Sequence, residues 1–399
     1  MPRVLVLIAL LWSAGCGSAP SAPASFLFLW AADSTGATSD FLAVIDADPA
    51  SPGYGQAVAA LPTGESGSHP HHTEDVLAPS GHLLANGFGR GRTWLFDLSN
   101  PLEPAILTHF DDVSGLSHPH SFLRLADGKV LATFQYAAGG HRTGGLVLMD
   151  ERGIPERSAS AVDTTIPDER IYPYAVVPMP GIDRAISTTT DMDESNLAAT
   201  SPWVQVWRLS DLSLLRTFSL EPGPRGDEHQ LTGEPRLLAD GRSVYVHTFN
   251  CGLYLIRGVD QPEPVARFVY GFEGKNCGVP VLTGSHWIQP VPEAHAVVAL
   301  DLSDPEHPRE VGRVTVDADE APHWLAVDPK GRRLVMNSGG YARGNRLFVL
   351  DLDPATGSLT LDGRFKDPDD SRPGIDLDRR AWPHGLRGKA VPHGAVFSR

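Results

Sequence analysis

Seven times along this chain an apolar, strand-sized run ends in aspartate, often with proline close behind, and this repeat limits the fold more than any other feature. The runs are Phe41–Pro49, Thr93–Pro101, Leu146–Asp150, Val204–Asp211, Leu253–Pro262, Val297–Pro305 and Leu347–Pro354. Before each come two further apolar runs joined by a turn such as Ala126-Asp127-Gly128 or Asp328-Pro329-Lys330-Gly331. Turn glycines Gly81, Gly128, Gly241 and Gly331 mark four units, and Gly181 and Gly284 mark two weaker ones. A period of about 45 residues, built from strand-length runs without a long helical pattern, is what a four-stranded propeller blade requires. The sequence therefore predicts an all-β fold, a seven-bladed β-propeller.

A propeller absorbs all 399 residues into one body, and no Gly/Ser linker or charge block interrupts the repeat, so residues 26–399 read as a single domain. The 40 glycines and 34 prolines supply the punctuation that a strand-turn-strand chain needs. A formal net charge of −15 argues against nucleic acid as a partner, since binding a phosphate backbone rests on lysine and arginine.

Residues 1–15 read as a signal peptide: Arg3 is a minimal basic region, and Val4–Trp12 is an apolar core too short to span a bilayer. The following Ser13-Ala14-Gly15-Cys16 resembles the bacterial lipobox, with Ser13 where leucine is usual. On that reading Cys16 is lipidated and residues 16–25 form a flexible Ser/Ala/Pro-rich tether. The alternative is an ordinary signal peptide cut within Ala14–Ala24. Either way the protein is exported, as a cell-envelope lipoprotein or to the periplasm, and meets the membrane only through a lipid anchor. Export also bears on Cys251 and Cys277, both in an Asn-Cys-Gly context. An oxidising compartment favours a disulfide between them, and the competing role is as soft metal ligands.

Sixteen histidines are the richest chemical feature. His82, His109, His141, His286, His295 and His307 stand in turns or at strand edges among polar neighbours and read as surface residues. Another set follows proline where a unit opens: Pro70-His71-His72, Pro119-His120 and Pro322-His323, with Pro383-His384 and Pro392-His393 near the end of the chain. The first strand of each blade lines the central channel, so such residues converge at one end of the axis. Imidazoles brought together in this way can hold a transition metal, and copper suits them. The expected metal ligands are His71, His72, His120, His323 and His384. Glu234, Tyr172, Tyr174 and His393 share the phase and are candidates for the surrounding channel. Glu74 and Asp75 read as a solvated acidic turn, with orientation of imidazoles as the alternative. Arg90 and Arg92 read as hairpin residues.

The stretch Asp40–Pro49, with Tyr54-Gly55, Leu61-Pro62 and His71-His72-Thr73, resembles the start of the selenium-binding protein family, which includes bacterial methanethiol oxidases. His120-Ser121 with Leu125–Gly128, Pro322-His323 with Lys330–Leu334, and Pro383–Arg387 are similar to later segments of that family. The resemblance implies a seven-bladed propeller with histidine-bound copper that oxidises methanethiol with oxygen and water to formaldehyde, hydrogen sulfide and hydrogen peroxide. His71, His72, His120 and His384 match family histidines. Departures are Glu74–Pro79 in place of the family's cysteine-containing stretch, Leu123 in place of a second histidine, and Cys251 near another.

Two function classes follow. One is a copper-dependent oxidase acting on methanethiol or another small sulfur compound. The other is a non-catalytic, envelope-tethered propeller, suggested by the short repeats Phe96–Pro101 and Leu300–Pro305. Ordinary hydrolases have little to stand on, because the chain lacks a phosphate-loop signature, a zinc-protease motif and a G-x-S-x-G elbow.

Overall fold

The computed structural model describes residues 25–166, 171–193, 201–339 and 344–399, so the signal peptide, Cys16 and nearly all of the tether lie outside the described residues. Seven antiparallel sheets follow one another along the chain. Each aspartate-terminated run forms the third strand of its sheet, as in Phe41–Asp46, Arg92–Asp97 and Ala296–Asp301. The aspartate recurs for a local reason. Its carboxylate accepts the backbone N–H two residues on, from Asp48 to Asp46, Ser99 to Asp97, Ser213 to Asp211 and Ser303 to Asp301, at 2.9–3.0 Å. This side-chain turn closes the hairpin into the fourth strand. Between first and second strands, Gly128 and Gly331 adopt φ of 86° and 65°, which a side chain would resist.

Third strands such as Phe41–Asp46 are buried on both faces, because every sheet packs against two neighbours. Outermost strands such as Ala105–Phe110 alternate between exposed and half-buried residues. Seven apolar clusters fill the seven junctions between blades. The last junction is closed by the chain's own ends. Strand Ala390–Phe397 is innermost in the first blade and pairs with Phe26–Asp33, Leu27 opposite Phe397, so no sheet edge is left unpaired at the seam.

The innermost strands, blades one to seven, are Ala390–Phe397, Pro70–Thr73, Leu116–Arg124, Pro173–Met179, Thr232–Leu237, Val281–Thr283 and Pro322–Val327. In all but the sixth blade, proline is followed or preceded by an interruption in the pairing register. Proline lacks the N–H that a regular ladder needs, and a bulge re-aims the side chains it contains. Those side chains are His71 and His72, His120, Tyr174, Glu234, His323 and His393. The sixth blade has Pro280-Val281 at this place, and Val281 packs into the junction with the seventh blade.

Candidate metal centre

The bulges gather imidazoles from four blades. The His71 ring stacks on His72 at 4.5 Å and lies 4.9 Å from His120 and 4.1 Å from His393. His72 and His120 are 4.3 Å apart, and His393 is 4.7 Å from His323. One ring nitrogen from each of His71, His72 and His120 lies within 4.8 Å of the others. All three are buried. His323 and His393 are enclosed by protein yet keep some accessible surface, as side chains lining an internal channel do.

Burial sets the charge of the cluster. It pushes His120 down to about 3, against the opposing pull of the Tyr174 carbonyl, and His323 down to about 4. His71, His72 and His393 also fall well below the ordinary imidazole range, through burial and then through their histidine neighbours. Neutral imidazoles are the form that ligates metals. The His120 Nδ1 lies 2.7 Å from the Tyr174 carbonyl, which can only accept, so Nδ1 carries the proton and Nε2 keeps its lone pair. That Nε2 is buried without a hydrogen-bond partner, and so are Nδ1 of His71, His323 and His393. Buried polar atoms are normally satisfied, and the orphaned nitrogens of His71 and His120, with the facing Nε2 atoms of His323 and His393 nearby, fit a transition metal. His323 and His393 present Nε2 atoms 3.0 Å apart. Two nitrogens each about 2.0 Å from one ion, near a right angle, have about this separation.

Tyr174 organises two of these rings. Its carbonyl also accepts from Thr133 Oγ1 at 2.8 Å, and its hydroxyl oxygen lies 3.1 Å from His72 Nε2. The other nitrogen of His72 is 3.8 Å from Glu234 Oε1. Because His72 is neutral, this contact is not an ion pair. Glu234 is pushed up to about 7 by burial, with Arg236 at 2.7 Å opposing the rise. Both nitrogens of His72 therefore face polar groups, which makes it the least free of the cluster.

Polar residues on several second strands bond to the bulges of their own or the next blade. Asn86 Nδ2 donates to the carbonyls of Pro119 and His120 at 2.8 and 3.2 Å, and Asn337 donates to the His393 carbonyl. Thr133 Oγ1 accepts from the Ser121 N–H at 3.0 Å. His247, absent from the expected site, is of this kind. Its Nδ1 accepts the Glu234 N–H at 2.9 Å, so the proton sits on Nε2 and the ring supports the bulge. The sequence signal was a lone polar residue breaking an apolar strand, as in Val244–Thr248.

Several expected placements change. His384 lies in the turn Trp382–Leu386, its ring 4.4 Å from Phe41, and no described ring contact joins it to the cluster. His393, expected only in the surrounding channel, takes the central place. The Pro383-His384 pair matched the phase in composition, whereas Pro392-His393 sits on the innermost strand. Tyr172 packs with Phe88 and Tyr136 and stacks on His141 at 4.9 Å. Glu74 is a buried residue, not a solvated one, and binds Arg124 at 2.7 Å. His286 is buried as well. A disulfide joins Cys251 and Cys277, Cα atoms 5.1 Å apart, and leaves neither as a thiolate. Arg92 is paired with Glu65 and Asp111.

Fold and bulges together define a seven-bladed β-propeller with histidines gathered at its channel. No protein-family model matches the sequence. Over 127 residues the chain is 29% identical to Selenium-binding protein 1 of Arabidopsis thaliana, a match covering 28% of this chain and 26% of that protein. The chain thus spans about a quarter of the length of the curated relative it matches. Among solved structures, a hypothetical selenium-binding protein from Sulfolobus tokodaii superposes with a TM-score of 0.72 at 17% identity, covering 94% of each chain. The periplasmic gluconolactonase PpgL of Pseudomonas aeruginosa gives 0.60 at 15% identity, over 94% of this chain and 99% of that one. These likenesses establish the fold, which hosts more than one chemistry.

Proposed function

We propose that the channel histidines form a copper centre that oxidises methanethiol or another small thiol. One observation carries the reading: buried, neutral imidazoles from separate blades converge with ring nitrogens that have no hydrogen-bond partner. His71, His72 and His120, whose ring nitrogens lie within 4.8 Å of one another, would hold the ion, with His323 and His393 beside them. Copper bound there would supply affinity for thiolate sulfur and electron exchange with oxygen. The protein's part is to orient. The Tyr174 carbonyl fixes the His120 tautomer, and the bulges keep the rings aimed inward. Beside Tyr174, Phe249 at 5.3 Å offers an apolar face suited to an alkyl group.

The test is reconstitution of the purified protein with copper, followed by a methanethiol assay for consumption of oxygen and release of hydrogen peroxide. Stoichiometric copper with turnover supports the oxidase. Copper without turnover favours a non-catalytic binding propeller, and failure to bind copper removes the metal centre. We further propose an envelope location through Cys16. Cys16→Ser should move the protein from the membrane fraction to the soluble fraction with its thermal stability unchanged, whereas unaltered fractionation would leave an ordinary exported protein.

A further inference from the structure

A charged bridge crosses the channel on one side. Arg236 of the fifth blade reaches Asp75, just past the innermost strand of the second, at 3.0 Å, and also donates to the Pro280 carbonyl leading into the sixth at 3.1 Å. Blades two and five are not neighbours, so this bridge crosses the channel on the side where the innermost strands run out. The other side of the channel is the one on which those strands begin.

Two further histidines stand on that side. The chain repeats Ser-His-Pro-His at Ser68–His71 and Ser117–His120, so an imidazole precedes the inner one by two residues in adjacent blades. Both preceding residues, His69 and His118, have left-handed backbones, with φ of 57° and 56°. This conformation is uncommon for a residue with a side chain and is further disfavoured before proline, and strain of this kind concentrates at functional sites. The surroundings hold it in place. Asp40 accepts the Ser68 N–H and hydroxyl at 2.7 and 2.6 Å, and the His69 carbonyl accepts the Phe88 N–H at 3.0 Å. A Cβ on Gly89 would lie 3.1 Å from the His69 Cβ, and one on Gly91 would lie 3.3 Å from the His118 ring. Glycines there leave room for both imidazoles.

His69 is exposed, and its ring is 6.2 Å from that of His71. His118 is half-buried and touches Phe88 at 5.4 Å, and Phe88 in turn lies 5.7 Å from His71 and 5.8 Å from His120. We infer that His69 and His118 form an outer tier that captures a copper ion on this side of the channel and passes it by ligand exchange to His71 and His120. The inference rests on reading the inner histidines as a metal centre. An ion held one ring away from its destination is presented at a far higher local concentration than in bulk solution.

The experiment mixes metal-free protein with micromolar copper(II) chloride in a stopped-flow instrument and follows tryptophan fluorescence. Trp324 lies 5.1 Å from the His72 ring and 5.9 Å from the His393 ring, so its quenching reports arrival at the inner site. The variant is His69→Asn with His118→Asn, because asparagine accepts the left-handed backbone, and a double glycine variant controls for folding. The expected result is unchanged copper stoichiometry and quenching amplitude with loading slowed on the order of tenfold, as effective-concentration arguments suggest. Wild-type loading rates in both variants would overturn the relay. Loss of stoichiometry would overturn it too, by making these residues part of the final site. If the wild-type protein takes up no copper, the metal-centre reading itself fails.

Discussion

Acid should destabilise the metal-free protein over a window set by its buried imidazoles. His120 and His247 are almost completely buried, and burial holds each at about 3. In the unfolded chain an imidazole titrates at about 6.5. Below that value the unfolded state takes up a proton that the folded state refuses. Stability is therefore fully present above the unfolded value and is lost progressively as the pH falls from about 6.5 towards about 3. Between pH 7 and pH 5 each residue costs about 2 kcal/mol, so the pair costs about 4 kcal/mol out of a typical total of about 5–15 kcal/mol. His71, His72, His323 and His393 shift in the same direction and add to the loss. Urea denaturation in the presence of a chelator, at pH 7, 6 and 5, measures the dependence. His120→Asn should lower the stability lost between pH 7 and pH 5 by about 2 kcal/mol, whatever it does to the baseline. A wild-type protein equally stable at pH 7 and pH 5, or a His120→Asn variant with the wild-type pH dependence, would refute the reasoning.

Further predictions concern the division of roles around the site. His393→Ala should abolish stoichiometric copper in elemental analysis, and His384→Ala should retain it, because only His393 shares ring contacts with His71 and His323. Thr133→Val keeps the shape but removes the bonds to the Tyr174 carbonyl and the Ser121 N–H, and should cost about 1–3 kcal/mol in urea melts, while Thr133→Ser, which keeps the hydroxyl, restores most of it. Tyr174→Phe leaves the carbonyl that fixes His120 but removes the hydroxyl beside His72, so it should retain the copper stoichiometry while altering the electron paramagnetic resonance spectrum of copper(II).

The ring of seven blades was legible because its causes are local. An apolar run buried on both faces, an aspartate that closes the next turn through its own carboxylate, and a glycine with positive φ each act within a few residues, so they recur in sequence with the period of the blade. The histidines after proline were legible for a related reason. Proline interrupts the ladder and the residue beside it enters a bulge, which places His71, His120 and His323 in one phase.

The same signal also picked out His384, which lies in a turn, and only the pairing of Ala390–Phe397 with Phe26–Asp33 shows that the bulge of the first blade holds His393. Which groups face which nitrogen was likewise beyond the sequence. Tyr174 meets His120 across 54 positions and His72 across 102, and His323 meets His393 across 70. The sequence by itself determined the strands, their turns and the phase that aims side chains inward, because these are set by neighbours along the chain. Tertiary structure alone decided which imidazoles share a centre, which are tied to carbonyls and which keep a free nitrogen, because those outcomes depend on how seven separate sheets close into a ring.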